Sequence, residues 1–186
     1  MKKKGVKDRI IETASELFYQ KGYNLTGINE IIEKAEVAKA SMYSHFRSKE
    51  EICISYLQLK QGNFEGKLID YLQKQPEGKH RILAIFDFLE DFFHQDNFRG
   101  CWCLNTISEL PVENELVKNE VIKQKDSFLN IIKKTVEENT SGLDEKSVHT
   151  ISRRIYLLYE GAITESQVQG EVWPIREAKD LVSLLI

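Results

Sequence analysis

Residues 28–46 read I-N-E-I-I-E-K-A-E-V-A-K-A-S-M-Y-S-H-F, and the reading of this stretch decides the fold. Ile28, Ile31 and Ile32 recur three and four residues apart with Asn29, Glu30 and Glu33 between them, the spacing of a short helix over 27–35 with one apolar side. A second short helix is expected over 38–46, with Val37, Met42 and Phe46 turned inward. Only Glu36 and Val37 separate the two, and so short a turn between two short helices marks a helix-turn-helix.

Helical spacing continues on both sides. Upstream, Ile10, Ile11, Ala14, Leu17 and Phe18 make a core-facing stripe that predicts a helix over 6–21, stopped at Lys21-Gly22. Thr26 is placed to cap the helix that follows. Downstream, Ser48-Lys49-Glu50-Glu51 reads as a cap with first-turn acids, opening a long helix to about residue 74 that joins the two halves and stops before Pro76. Further helices are expected over 79–94, which is apolar nearly all round, then 100–110, closed by Pro111, and 114–139. Segments 147–170 and 175–186 complete an all-α chain of about nine helices, with a helix-turn-helix domain over 1–48 and a helical bundle over 49–186.

The 186 residues are 41% apolar and 30% charged, which excludes collagen, coiled coil and a disordered tail. Three cysteines, an odd number, argue against a disulfide scaffold. No run approaches the ~18 to 20 apolar residues of a membrane span, and Met1 to Lys4 are followed by no apolar signal segment, so a cytoplasmic protein with no membrane partner is expected. The formal charge of −3 is uneven. Residues 1–49 carry 10 of the 26 basic side chains and 6 of the 29 acidic ones, so a basic head precedes an acidic body. That split suits a polyanion bound to the head, and a solvated charged face explains it equally well.

A helix in the major groove presents one face to base edges while its flanks hold phosphates. With Val37, Met42 and Phe46 inward, the residues left for DNA are Lys39, Ala40, Ser41, Tyr43, Ser44 and His45. Lys39 is suited to donate to guanine, Ser41 and Ser44 to several bases, and Ala40 to touch a thymine methyl. Tyr43 and Phe46 also read as plain core aromatics, and Lys2, Lys3 and Lys4 read either as an arm to adjacent phosphates or as a solubilising end.

Across residues 9–57 the features A-x-x-L-F-x-x-x-G-Y, a threonine opening the second helix, and Y-x-H-F-x-S-K-E stand in order. This segment resembles the DNA-binding domain of TetR/AcrR-family transcriptional regulators. The resemblance implies phosphate or sugar contacts from Thr26, Tyr43, His45 and Lys49, a homodimer on a near-palindromic double-stranded operator, and release by a small-molecule inducer bound in the C-terminal domain. Two departures stand out. The family's turn has glycine where this chain has Glu36, which would cost on the order of 1 kcal/mol if a positive φ is kept. The usual Ser or Thr cap of the recognition helix is replaced by Ala38, a loss of roughly 0.5 to 2 kcal/mol.

For the body, the stripes Ile151, Ile155, Leu158, Ala162 and Leu181, Leu185 mark the last two helices as the dimer contact, with intramolecular packing as the other reading. Phe64, Leu68, Phe86, Phe92, Trp102 and Phe128 are the candidates for lining an apolar ligand cavity, although core packing explains any one of them. In Gly100-Cys101-Trp102-Cys103 a thiol at a helix start has the placement of a redox or electrophile sensor, so Cys101 and Cys103 are either sensors or small buried residues. Their spacing fits no zinc site, and neither metal nor cofactor is expected. With no G-x-S-x-G, Walker loop, G-x-G-x-x-G or H-E-x-x-H, an enzyme is not expected. The rival to a repressor is a helical dimer that lost tight operator binding through Glu36 and Ala38 and acts on another protein.

Overall fold

The computed structural model describes residues 5–111 and 113–186, so the lysine arm suggested at Lys2 to Lys4 lies outside the described residues. Among the described residues there are nine helices and no strand. They are α1 (Val6–Lys21), α2 (Ile28–Lys34), α3 (Lys39–His45), α4 (Lys49–Gln73), α5 (Lys79–Phe93), α6 (Trp102–Glu109), α7 (Glu115–Asn139), α8 (Glu145–Gln169) and α9 (Trp173–Ser183).

The chain forms two compact units. The first takes the described residues of Met1–Asn63 together with Trp102–Lys123; the second takes Phe64–Cys101 and Gln124–Ile186. Helices α4 and α7 each contribute residues to both. The first unit is built on the expected α1 stripe: Ile10, Ala14, Leu17 and Phe18 are all buried. Around them lie Ile31, Met42, Phe46, Ile52, Tyr56 and Leu57, with the Phe18 ring 5.5 Å from Tyr23 and 5.6 Å from Tyr56. In the second unit α5 buries Ile82, Ile85, Phe86 and Leu89, α8 buries Ile155, Tyr159, Ala162 and Ile163, and α9 buries Ile175, Ala178 and Val182. Arg176 Nη2 donates to Glu90 Oε1 at 2.6 Å and Lys179 pairs with Asp87, tying α9 to α5.

Helix ends follow local chemistry, and several differ from expectation; α6, for one, begins at Trp102 and not at residue 100. Thr26 does not cap α2: Gly27 occupies that position with no side-chain bond, and the Thr26 hydroxyl donates instead to the Gly22 carbonyl at 2.8 Å. Helix α8 begins two residues early because the Asp144 carboxylate accepts the Ser147 amide at 2.9 Å, a true N-cap. Helix α9 starts at Trp173, two residues before the expected start, because Pro174 sits in the first turn, where a missing N–H costs nothing. The expected cap of α4 is present: the Glu51 amide donates to Ser48 Oγ at 3.4 Å, and the Glu51 carboxylate accepts the Arg47 amide at 2.7 Å.

Candidate nucleic-acid interface

Helix α3 is seven residues long, too short to hold itself, and it is fixed by two anchors on one side. Met42 is 1% exposed and Phe46, its C-cap, 4%. With these turned in, the helix presents Lys39, Ala40, Tyr43, Ser44 and His45 to solvent, Tyr43 with 48% of its surface exposed, while Ser41 is half-buried. The Ser44 hydroxyl donates to the Ser41 carbonyl at 2.8 Å, which spends its proton and leaves the oxygen as an acceptor. A cation, a phenol, an imidazole and small polar groups thus share one side, the kind of set that grips phosphates and reads base edges.

The turn that aims α3 keeps the geometry usually given to glycine. Ala35 caps α2, the Glu36 amide donates to the Glu33 carbonyl at 3.0 Å and the Val37 amide to the Ile32 carbonyl at 3.2 Å. These are the two bonds of a Schellman motif, which requires a left-handed residue between them. Glu36 is that residue, at φ 52°, and among the described residues no other side chain takes a positive φ. Ala38 stands at the α3 N-cap with extended backbone and no side-chain bond.

Two residues expected at the phosphates are occupied elsewhere. Thr26 is fully buried and stitches the α1–α2 connection. Lys49 is half-buried with Nζ 4.1 Å above the Tyr23 ring; burial lowers its pKa, partly opposed by Cys53, Glu50 and Glu109. The same neighbourhood pushes the Cys53 thiol up to about 12, chiefly through burial, so this cysteine is an inert core residue. Three residues that hold the head had no sequence signal. Arg9 Nη1 donates to the Ala35 and Glu36 carbonyls at 2.9 and 3.1 Å. The Asn24 amide donates to the Glu109 carboxylate at 2.7 Å, and Asn24 Nδ2 to the Glu109 carbonyl at 2.8 Å. That carboxylate packs so closely on Gly22 (φ 92°) that a Cβ there would lie 2.3 Å from Oε1. Each partner is too distant in sequence to be paired by periodicity.

Of the residues expected around a ligand, Phe64, Phe86 and Phe128 join one ring network in the second unit. Phe64 lies 5.4 Å from Phe128 and 5.7 Å from Phe88, and Tyr159 lies 4.7 Å from Phe128 and 6.1 Å from Phe86. Leu68 is buried, and Phe92 belongs to a separate group with Phe93 and Phe98. Trp102 is buried and belongs to the first unit. The Tyr159 hydroxyl is buried without a hydrogen-bond partner, and burial raises its pKa well above the ordinary value. Lys125 Nζ sits 3.2 Å from Cys101 Sγ and 2.5 Å from Glu160 Oε2. Cys101 and Cys103 are both buried and in no disulfide.

Of the expected dimer residues, Ile155 and Ala162 are buried by the chain's own packing, Ile151, Leu158 and Leu185 are half-buried, and Leu181 is 50% exposed. The outward rows of the last two helices run through Leu157, Gly161, Thr164 and Val168 on α8 and Trp173, Glu177 and Leu181 on α9, with Leu184 at its C-cap. Among the described residues no cluster of three metal-ligating side chains occurs, and no helix is long and apolar enough to cross a membrane.

Comparison with known proteins places this architecture. Residues 10–55 match the family model for bacterial regulatory proteins, tetR family. The HTH-type transcriptional regulator YxaF of Bacillus subtilis is 25% identical over 187 residues, covering 97% of this chain and 94% of that protein. The transcriptional repressor NemR of Escherichia coli is 23% identical over 184 residues, covering 92% of this chain and 89% of NemR. The crystal structure of its reduced form superposes with a TM-score of 0.84, at 23% identity, over 98% of this chain and 97% of that one. A TetR transcriptional regulator from Legionella pneumophila superposes at 0.81 and 22% identity over 100% of both chains. The relatives are regulators and not enzymes. The matched segment is the one that carries most of α1, the left-handed turn and the outward face of α3, and over it the chain is similar to the tetR family of bacterial regulatory proteins.

Proposed function

We propose that this chain is a cytoplasmic, ligand-responsive repressor that binds a near-palindromic operator as a homodimer, with residues 1–48 as the DNA-binding domain and 49–186 as the ligand-binding and dimerisation domain. The observation that carries the reading is the outward face of α3, where Lys39, Ala40, Tyr43, Ser44 and His45 are exposed while Met42 and Phe46 anchor the helix from behind. Lys39 and Tyr43 approach base edges, His45 and Tyr43 the phosphates, and Ser41, Ser44 and Ala40 complete the groove contact. Thr26 and Lys49 support this surface through the connection and the Tyr23 ring they hold. One such head buries too little DNA for a tight site, so two are used. The dimer contact is assigned to the exposed rows through Leu157 on α8 and Leu181 and Leu184 on α9, since Ile155 and Ala162 are already covered.

The inducer is a small, largely apolar molecule bound among Phe64, Leu68, Phe86 and Phe128, and it releases the operator by favouring a state that does not bind DNA. A gel shift against the DNA upstream of the chain's own gene tests the whole. Saturable, steeply salt-dependent binding to a near-palindromic site is expected, and binding that ignores sequence would instead favour the protein-interaction reading.

The contact between Lys125 and Cys101 favours a second reading, in which a thiol is the sensed group. The thiolate is the nucleophilic form, and an adjacent ammonium favours it. Iodoacetamide should label Cys101 ahead of Cys53 and Cys103, and Lys125→Met should slow that labelling. Equal labelling of the three would remove this reading.

A further inference from the structure

Arg9 is the fourth residue of α1 and lies 26 positions before the first of its two carbonyl partners. Its guanidinium reaches the end of α2, where the Ala35 and Glu36 carbonyls have no intrahelical donor, and one nitrogen, Nη1, serves both at 2.9 and 3.1 Å. A cation at a helix C-terminus is also favoured by the aligned peptide dipoles. The placement is costly: Nε is buried with no hydrogen-bond partner. The charge is thus held where it serves one turn, and that turn contains the left-handed Glu36.

Met42 and Phe46 hold α3 from behind, but no side chain fixes its N-terminal end. The helix has seven residues, an alanine at its N-cap and no side-chain cap bond, so its first turn takes the direction the chain has on leaving Val37. We propose that Arg9 is a positioning residue for α3: it clamps the left-handed turn at Glu36 and thereby aims the recognition helix, without touching DNA itself. The inference rests on the DNA-binding reading of α3 for its consequence, but the clamp can be tested without DNA.

The first measurement is amide hydrogen exchange on the full chain, comparing wild type with Arg9→Met, which keeps the stem and removes the donors. Exchange should quicken at least tenfold at the Glu36, Val37 and Met42 amides, since the charged hydrogen bonds to two carbonyls are lost, with α8 amides unchanged as the check that the protein is folded. Arg9→Lys, which keeps a cation on a different head, should fall between. The second measurement is affinity for the operator selected by wild type. Arg9→Met should weaken binding about tenfold while the slope of log K against log salt stays the same, because no phosphate contact is lost. Glu36→Gly placed in the Arg9→Met background should restore most of the affinity, since glycine takes the left-handed turn unaided. Unchanged exchange overturns the clamp. A salt slope reduced by about one makes Arg9 a phosphate contact and overturns it too, as does failure of Glu36→Gly to restore binding. If wild type selects no DNA at all, the regulator reading fails, and the exchange result alone decides whether the clamp exists.

Discussion

Replacing Glu36 by glycine should stabilise the protein, against the usual direction of substitutions in a folded chain. Glu36 is exposed and sits at φ 52°, a conformation that costs an L-residue about 1–2 kcal/mol. Glycine avoids that cost but loses more freedom on folding, about 0.5–1 kcal/mol relative to alanine. The difference is a net gain of about 0–1.5 kcal/mol, which for a chain of this size raises the midpoint by roughly 2–4 °C per kcal/mol. Alanine is the control, since it removes the same carboxylate and retains the strained φ, so Glu36→Ala should gain little or nothing. Urea unfolding of wild type and both variants at one pH measures all three. If Glu36→Gly is no more stable than Glu36→Ala, the turn does not carry the strain assigned to it and the argument for a clamped turn loses its basis.

Other consequences are equally open to measurement. Met42→Ala should cost about 2–5 kcal/mol by urea unfolding, because the side chain is 1% exposed and its loss leaves a cavity behind α3. Asp144→Ala should lower the urea midpoint through loss of the α8 cap, and Asp144→Asn should lower it less. The Glu90 carboxyl is held below its usual pKa first by the Arg176 hydrogen bond, and Asp144 is held below its own by Ser147. Both depressed values mean stability that is complete above about pH 4.5 and lost as pH falls through the folded values, so acid titration of the urea midpoint should decline there, less steeply in Arg176→Ala. Leu184→Asp, at a residue 82% exposed in the chain, should shift sedimentation from dimer towards monomer while leaving helix content unchanged; an unaltered dimer would place the contact elsewhere.

Much of the fold was legible because helices declare themselves locally. Most of the α1 stripe, the two-residue turn and the anchors Met42 and Phe46 follow from spacing alone, whereas Ile11 and Val37, also read as inward, are only half-buried. Errors fell where a side chain had two local options. Thr26 bonds back to Gly22 instead of forward to an amide, and the Asp144 carboxylate opens α8 two residues before the expected start. The departure at Glu36 was visible, but its support was not: Arg9 looked like one more cation of a basic head, since nothing near it in sequence names Ala35 and Glu36 as its partners. Burial against the chain's own helices cannot be told from burial against a second copy by periodicity, and Ile155 and Ala162, expected at a dimer contact, are buried within the single chain.

The claim that the exposed side of α3 reads DNA is tested most directly by selecting duplexes from a randomised pool with wild type and with Lys39→Ala, at one fixed salt concentration. Wild type should enrich a two-fold symmetric site, and Lys39→Ala should relax the choice at one symmetric pair of positions while keeping the rest. No enrichment by wild type, or an identical site from both proteins, would contradict the placement of α3 in the groove.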